Sequence, residues 1–291
     1  MMNNTDISNL IVKILRRLDI SEVCLCPGAR NSPIISAFSK IDANLYSILD
    51  ERSAGFYALG ISKVKREPVV VSCTSGTALG NLFPAIIEAR MSEVPLIIIT
   101  ADRPKGMIGK GENQTIYQSN IYGKYVRSYI DIDGTEDTKE SIITKITTIV
   151  NSSLGKTIDK DLSEKGPIHI NIHIDNPLLN SKSNLDLANL PTISPIKTKA
   201  SNNQSLKINK NIKRPLIICG QSDLASNGQQ IIDISNKIGA PILTDISSNV
   251  NSSDNIISFY DHFIDKIESP DLILRFGSKP LSKKLLSILI P

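Results

Sequence analysis

The side chains in this sequence that can do chemistry gather in four short turns, each following an apolar run: Pro27-Gly28-Ala29-Arg30, Asp50-Glu51-Arg52, Thr74-Ser75-Gly76-Thr77 and Ala101-Asp102-Arg103-Pro104. Glu51 stands where an apolar run gives way to a helical stretch. There desolvation raises a carboxyl pKa, while the helix N-terminus favours the anion. It reads either as a proton-handling carboxyl at a sheet rim or as an exposed first-turn glutamate complementing the helix dipole. Ser75, Gly76 and Thr77 offer N–H groups at a helix start, which suit a phosphate or an ordinary glycine turn equally well. Arg30 and Arg103 each carry a fork that grips a carboxylate through two bonds. Taken singly, such a residue is more often a surface or structural arginine.

Other chemistry has less support. His169 and His173 share one face of a strand-like run, since residues i and i+4 of a strand point the same way. A metal would need a third ligand that the sequence does not offer, so both read as packed core histidines, and no metal-ligating residue is assigned. Gly109-Lys110-Gly111 is a fragment of a glycine pattern that follows no strand. The familiar nucleotide, zinc-protease and nucleophile-elbow motifs are missing from the sequence, which argues against the common nicotinamide and nucleotide enzymes.

The elements that position these turns follow from periodicity. The runs Val23 to Cys26, Leu45 to Leu49, Val69 to Cys73 and Leu96 to Thr100 read as strands. If they are parallel, all four turns emerge on one carboxyl edge, where open α/β sheets bind ligands. Helices are expected at Ile7 to Leu18 with Asp6 as N-cap, at Ser32 to Ser39, at Glu51 to Lys65 with Ala54, Tyr57, Ala58 and Ile61 inward, and at Thr77 to Arg90. Two further strands, Tyr125 to Ile132 and Ile168 to Ile174, flank a helix around Glu140 to Val150. This alternation predicts right-handed βαβ units in an α/β domain with a parallel sheet over residues 1–180.

Residues 181–214, rich in Ser, Asn, Lys and Pro, read as a linker. Its basic residues lack the interleaved aromatics that stack on bases. A second α/β unit is expected over residues 215–291, with strands Leu216 to Cys219, Ile242 to Thr244 and Leu272 to Phe276, a helix near Gln229 to Ile238 and a last helix Leu281 to Ile290. Three strands are few for a doubly wound domain, so this unit is expected to be incomplete.

The balance of 33 basic against 29 acidic residues is spread along the chain and gives no reason to invoke nucleic acid. Cys24, Cys26, Cys73 and Cys219 form no C-x-x-C pair and read as reduced core thiols. The polar start and the lack of a long apolar run imply no signal segment and no membrane span, hence a cytoplasmic protein.

The set Cys26-Pro27-Gly28-Ala29-Arg30-Asn31-Ser32-Pro33, Asp50-Glu51-Arg52-Ser53-Ala54-Gly55-Phe56, Thr74-Ser75-Gly76-Thr77-Ala78, Thr100-Ala101-Asp102-Arg103-Pro104 and Gly111-Glu112-Asn113-Gln114 closely resembles the amino-terminal part of the 2-succinyl-5-enolpyruvyl-6-hydroxy-3-cyclohexene-1-carboxylate (SEPHCHC) synthases. These are thiamine-diphosphate enzymes of menaquinone and phylloquinone synthesis. The likeness runs from the first helix to about Pro177 and more weakly to Lys284.

The resemblance implies a pyrimidine-binding domain over residues 1–180, followed by a truncated Rossmann-like middle domain, with the diphosphate-binding domain and its Mg²⁺ ligands absent from this chain. Glu51 matches the glutamate that shares a proton with N1′ of the aminopyrimidine, and Pro27 and Thr74 to Thr77 match residues around that ring. That match lowers the weight of the phosphate reading. The family's substrates are 2-oxoglutarate, which is decarboxylated, and isochorismate, to which the resulting succinyl-semialdehyde unit is added. Arg30, Asn113, Gln114, Lys283 and Lys284 match substrate-binding positions. Ala29 stands where the family usually has serine, and Lys284 where it has arginine, losing a planar fork.

The family builds its sites between subunits. The resemblance therefore implies a homo-oligomer, or pairing with a chain that supplies the diphosphate domain, and little activity for these 291 residues alone. Two other readings stay open: a different 2-oxoacid carboligase such as an acetolactate synthase, or a non-catalytic fragment or regulatory subunit.

Overall fold

Six short apolar runs supply the strands of one fully parallel sheet: β1 (Glu22–Leu25), β2 (Asn44–Ser47), β3 (Val69–Cys73), β4 (Leu96–Asp102), β5 (Tyr129–Asp133) and β6 (Ile168–His173). Their order is β2-β1-β3-β4-β6-β5, with Leu25 opposite Ser47 and Ser72, and Asp102 opposite His173. The structure is a computed structural model and describes residues 2–156, 164–180, 185, 211–221, 228–248, 250 and 253–289. The expected parallel α/β sheet is present. The interval from 181 to 210, apart from 185, lies outside the described residues, and with it most of the expected linker.

Alternation along the strands divides the core into two layers. Val23, Leu25, Val70, Ile97, Ile99, Ile168, Ile170 and Ile172 pack against the helices α1 (Asn4–Arg17), α2 (Ser32–Phe38) and α6 (Lys139–Ser153). Cys24, Cys26, Val69, Val71, Cys73, Leu96 and Ile98 point the other way. They pack on α3 (Glu51–Lys65), α4 (Thr77–Asn81) and α5 (Phe83–Met91). From β1 the chain crosses to β2 on one side. From β3 it crosses to β4 on the other. The connections therefore diverge between β1 and β3, and the crevice such a reversal leaves at the carboxyl ends is a ligand site in open α/β sheets.

Several expectations need correction. The N-cap of α1 is Asn3, whose side chain accepts the Asp6 N–H at 2.8 Å, so Asp6 is inside the first turn. On α3 the buried residues are Ala54, Gly55, Ala58, Leu59 and Ser62, whereas Tyr57 faces solvent. The helix after β3 is broken into α4 and α5 at Leu82, because Pro84 has no N–H for a continuous helix. β5 starts at Tyr129, and Gly123–Tyr125 is a 3₁₀ turn.

The chain divides into two compact units, Met1–Ser201 and Asn202–Pro291. The second holds β7 (Pro215–Cys219), α7 (Gly228–Ile238), β8 (Ile242–Thr244), β9 (Ile256–Ile257), β10 (Leu272–Phe276) and α8 (Lys283–Leu289). Its parallel sheet runs β10-β7-β8-β9, one short strand more than the sequence suggests. Among the described residues no helix is long and apolar enough to cross a membrane.

Candidate active site

At the carboxyl ends of β1 and β3, where the topology reverses, the loop after β1 approaches the turn after β3. A Cβ built on Gly28 would stand 2.4 Å from Thr74 Cβ, so only glycine lets these two segments touch. Asn31 ties them together: its Nδ2 donates to the Cys26 carbonyl at 2.8 Å, and its Oδ1 accepts from Ser72 Oγ at 2.7 Å. Thr74, Ser75 and Gly76 are buried, Gly28 is partly buried, and Pro27 and Thr77 are exposed. Gly76 has φ 82° and ψ −141°, a conformation open in practice only to glycine.

Glu51 opens α3 on the flank of this crevice. Asp50 caps the helix by accepting the Ser53 N–H at 2.7 Å, which leaves Glu51 as the first helical residue. Glu51 is partly buried as a residue, but its carboxylate is not desolvated: the bond that Oε2 accepts from Asn81 Nδ2 of α4, at 3.3 Å, is exposed. It also lies near the ends of β1 and β3. Burial, then the charge of Glu51, pushes the Cys26 thiol up to about 12, and burial with Cys26 and Glu51 raises Cys73 well above its ordinary value. Both thiols are buried and protonated at neutral pH, unsuited to act as nucleophiles.

The other flank is cationic. Arg103 donates from one guanidinium nitrogen to Ser75 Oγ at 2.6 Å and from the other to the Asn113 carbonyl at 2.8 Å. Arg30 donates to the Ile174 carbonyl. Burial and the neighbouring Arg103 charge lower the Arg30 pKa, against the pull of Asp175 and Asp102. Gln114 Nε2 donates to the Ser75 carbonyl at 3.0 Å, and its side chain lies over Gly76. The structure thus brings Arg30, Thr74 to Thr77, Arg103, Asn113 and Gln114 together around one edge. Lys283 and Lys284 belong to the second unit, at the start of α8, where Lys284 Nζ donates to the Asp261 carbonyl at 2.9 Å.

The N–H of Gly76 does not wait for an anion, since it donates to Gln118 Oε1 at 3.3 Å. Sequence reasoning missed Gln118 and the polar spine behind it. Gln118 Nε2 donates to the Ala101 carbonyl at 3.0 Å and to Asn171 Oδ1 at 2.8 Å, and Asn171 Nδ2 donates to Asp102 and Asp131, each at 2.8 Å. Thr100 Oγ1 completes the set, donating to Asn171 Oδ1 and accepting from His169 Nε2, both at 2.7 Å. The signal was there. His169, Asn171 and His173 alternate with Ile168, Ile170 and Ile172 along β6, a period-2 pattern that puts all three polar residues on one face.

Residues 5–121 match the family model for the thiamine pyrophosphate enzyme, N-terminal TPP binding domain. Curated relatives named 2-succinyl-5-enolpyruvyl-6-hydroxy-3-cyclohexene-1-carboxylate synthase include one from Desulfitobacterium hafniense, 33% identical over 285 residues, covering 94% of this chain and 51% of the relative. Another, from Chlorobium phaeobacteroides, is 32% identical over 311 residues, covering 98% and 52%. A third, from Bacillus velezensis, is 32% identical over 284 residues, covering 91% and 48%. The chain spans about half the length of the curated relatives it matches.

Proposed function

We propose that residues 1–180 are the pyrimidine-binding part of a thiamine-diphosphate-dependent carboligase of the SEPHCHC synthase type, acting on 2-oxoglutarate and isochorismate. The observation that carries this reading is the placement of Glu51 at the first turn of α3, beside the β1–β3 crevice that Gly28, Thr74 and Gly76 shape. The residues there fit an aminopyrimidine: the carboxyl of a partly buried glutamate, able to hold a proton at a ring nitrogen, and a buried polar turn on one side of it. Bound thiamine diphosphate would supply an acidic ring carbon and an electron sink for decarboxylation.

The chain's own part is to keep Glu51 at N1′ and to present cations to the substrate. Glu51, the first residue of α3, would share a proton with N1′ of a bound ring. Arg103 and Arg30 suit the carboxylates of a 2-oxo diacid. Among the described residues no group of three or more His, Cys, Asp or Glu forms a metal site. The Mg²⁺ and diphosphate contacts are assigned to another domain or chain, and residues 215–291, with Lys283 and Lys284 at the start of α8, to part of a middle domain.

The test is a complementation assay. Residues 1–291 are mixed with a chain carrying the diphosphate-binding domain of a relative, thiamine diphosphate, Mg²⁺, 2-oxoglutarate and isochorismate. Isochorismate-dependent release of carbon dioxide, lost with Glu51→Gln, is the expected result. Acetolactate formation from pyruvate, or activity unchanged by Glu51→Gln, would overturn the reading.

A further inference from the structure

His173 closes β6 and meets two groups that can only accept hydrogen bonds. Its Nδ1 lies 2.7 Å from the Arg103 carbonyl, and its Nε2 lies 3.1 Å from Asp131 Oδ1. A carbonyl and an ionised carboxylate have no proton to give, so a hydrogen bond at each position requires a hydrogen on each ring nitrogen, the state of an imidazolium. The side chain is buried, and the surrounding charges agree. Asp102 Oδ2 of β4 lies 3.9 Å from Nδ1, and Asp131 comes from β5. Lys105, Asp133, Glu136 and Asp175 line the same opening, a cavity of about 440 Å³. Burial alone would lower the His173 pKa. The bonds to Asp131 and the Arg103 carbonyl, with the charges of Asp102 and Asp131, outweigh it and raise the pKa above its ordinary value.

What this ring holds is the peptide of Arg103. The Arg103 N–H donates to Asp102 Oδ1 at 2.7 Å while its carbonyl accepts from His173, so buried ionisable side chains fix both backbone groups. The guanidinium ahead of that peptide reaches Ser75 and the Asn113 carbonyl.

We propose that His173, as an imidazolium paired with Asp131, is the positioning residue for Arg103, setting the guanidinium that receives a carboxylate of an anionic ligand. Loss of the Nδ1 proton takes the donor from the Arg103 carbonyl, whereas loss of the Nε2 proton turns a lone pair toward the Asp131 carboxylate, which Asn171 Nδ2 still bonds, and pushes the ring off it; either way the peptide relaxes. Carboxylate binding at this edge therefore weakens as pH rises through the His173 titration. The choice of ligand rests on the function proposed above, but the coupling of His173 to Arg103 does not.

The experiment uses residues 1–291 labelled with ¹⁵N, in which only His169, His173 and His262 contribute imidazole signals. Ring nitrogens, the Arg103 Nε–H and the Ser75 amide are followed from pH 5.5 to 9, and 2-oxoglutarate is titrated at each end. The expected result is a doubly protonated His173 at pH 6.5, Arg103 and Ser75 signals that move with its midpoint, and several-fold weaker 2-oxoglutarate binding above it. His173→Asn keeps an N–H near the Nδ1 position and is expected to bind 2-oxoglutarate with little pH dependence in this range, whereas His173→Leu binds weakly at both ends. Circular dichroism shows that each variant is folded. A single neutral tautomer of His173 at pH 6.5, or a titration that leaves Arg103 and Ser75 unmoved, overturns the proposal. Coupled shifts without 2-oxoglutarate binding uphold the positioning role and count against the substrate assignment.

Discussion

Replacing Gly76 by alanine tests whether the turn after β3 depends on a backbone conformation that only glycine adopts without strain. At φ 82° and ψ −141° an L side chain is strained, at a cost of roughly 1–3 kcal/mol. The new Cβ would also stand 2.8 Å from Gln114 Cγ and 3.2 Å from the Gln114 carbonyl oxygen. The side chain can swing away. The carbonyl belongs to a residue with positive φ of its own, 57°, in a loop pinned by Arg103, so it has little room to give.

A total near 2–4 kcal/mol follows, which for a unit of this size lowers Tm by roughly 5–12 °C. Gly60, in the interior of α3 with nothing within 4 Å of its built Cβ, is the control: alanine there relieves helix entropy and raises stability by about 0.5–1 kcal/mol. Thermal unfolding followed by circular dichroism at 222 nm reads both. The reasoning is refuted if Gly76→Ala leaves Tm within about 1 °C of the parent, or if the two variants shift it in the same direction.

Three other outcomes are expected. Gln118→Ala leaves the Gly76 N–H and Asn171 Oδ1 short of a partner in a buried site, a loss of about 1–3 kcal/mol, readable by urea denaturation with an unchanged m-value. Burial brings His169 from 6.5 down to about 3, so the folded state holds it neutral; its contribution is complete above pH 6.5 and fades as pH falls toward 3, at most roughly 5 kcal/mol at ~1.4 kcal/mol per pH unit. His173 has the opposite sign, its contribution being complete below pH 6.5 and lost as pH rises through its raised pKa, so stability against pH should peak near neutrality. Cys26 and Cys73 should resist thiol reagents in the folded protein and react together on unfolding, as measured by absorbance with an aromatic disulfide.

Much of this architecture is legible in the sequence because strand periodicity and turn residues are local properties. Val69 to Cys73 is a buried strand of five apolar or small residues, and its boundaries are those the pattern implies. Glycines at 28 and 76 mark the turns that need them. What escaped was set by tertiary contact. Tyr57 fits an inward helical stripe, yet small residues at 54, 55 and 58 let α3 lie close to the sheet and leave Tyr57 outside. Gln118 sits in no motif, because its three bonds go to residues 17 to 53 positions away. The histidines were visible as a pair on one face, but Asp131 and the Arg103 carbonyl, which decide the state of His173, come from two other segments.

The most direct measurement for the central claim is a chemical-shift titration of residues 1–291 with thiamine diphosphate, recorded for the wild type and Glu51→Gln. The account predicts weak binding with perturbations centred on Glu51, Thr74 to Thr77 and Gln114, removed by the substitution. Perturbations confined to other parts of the chain, or unchanged in Glu51→Gln, would contradict it.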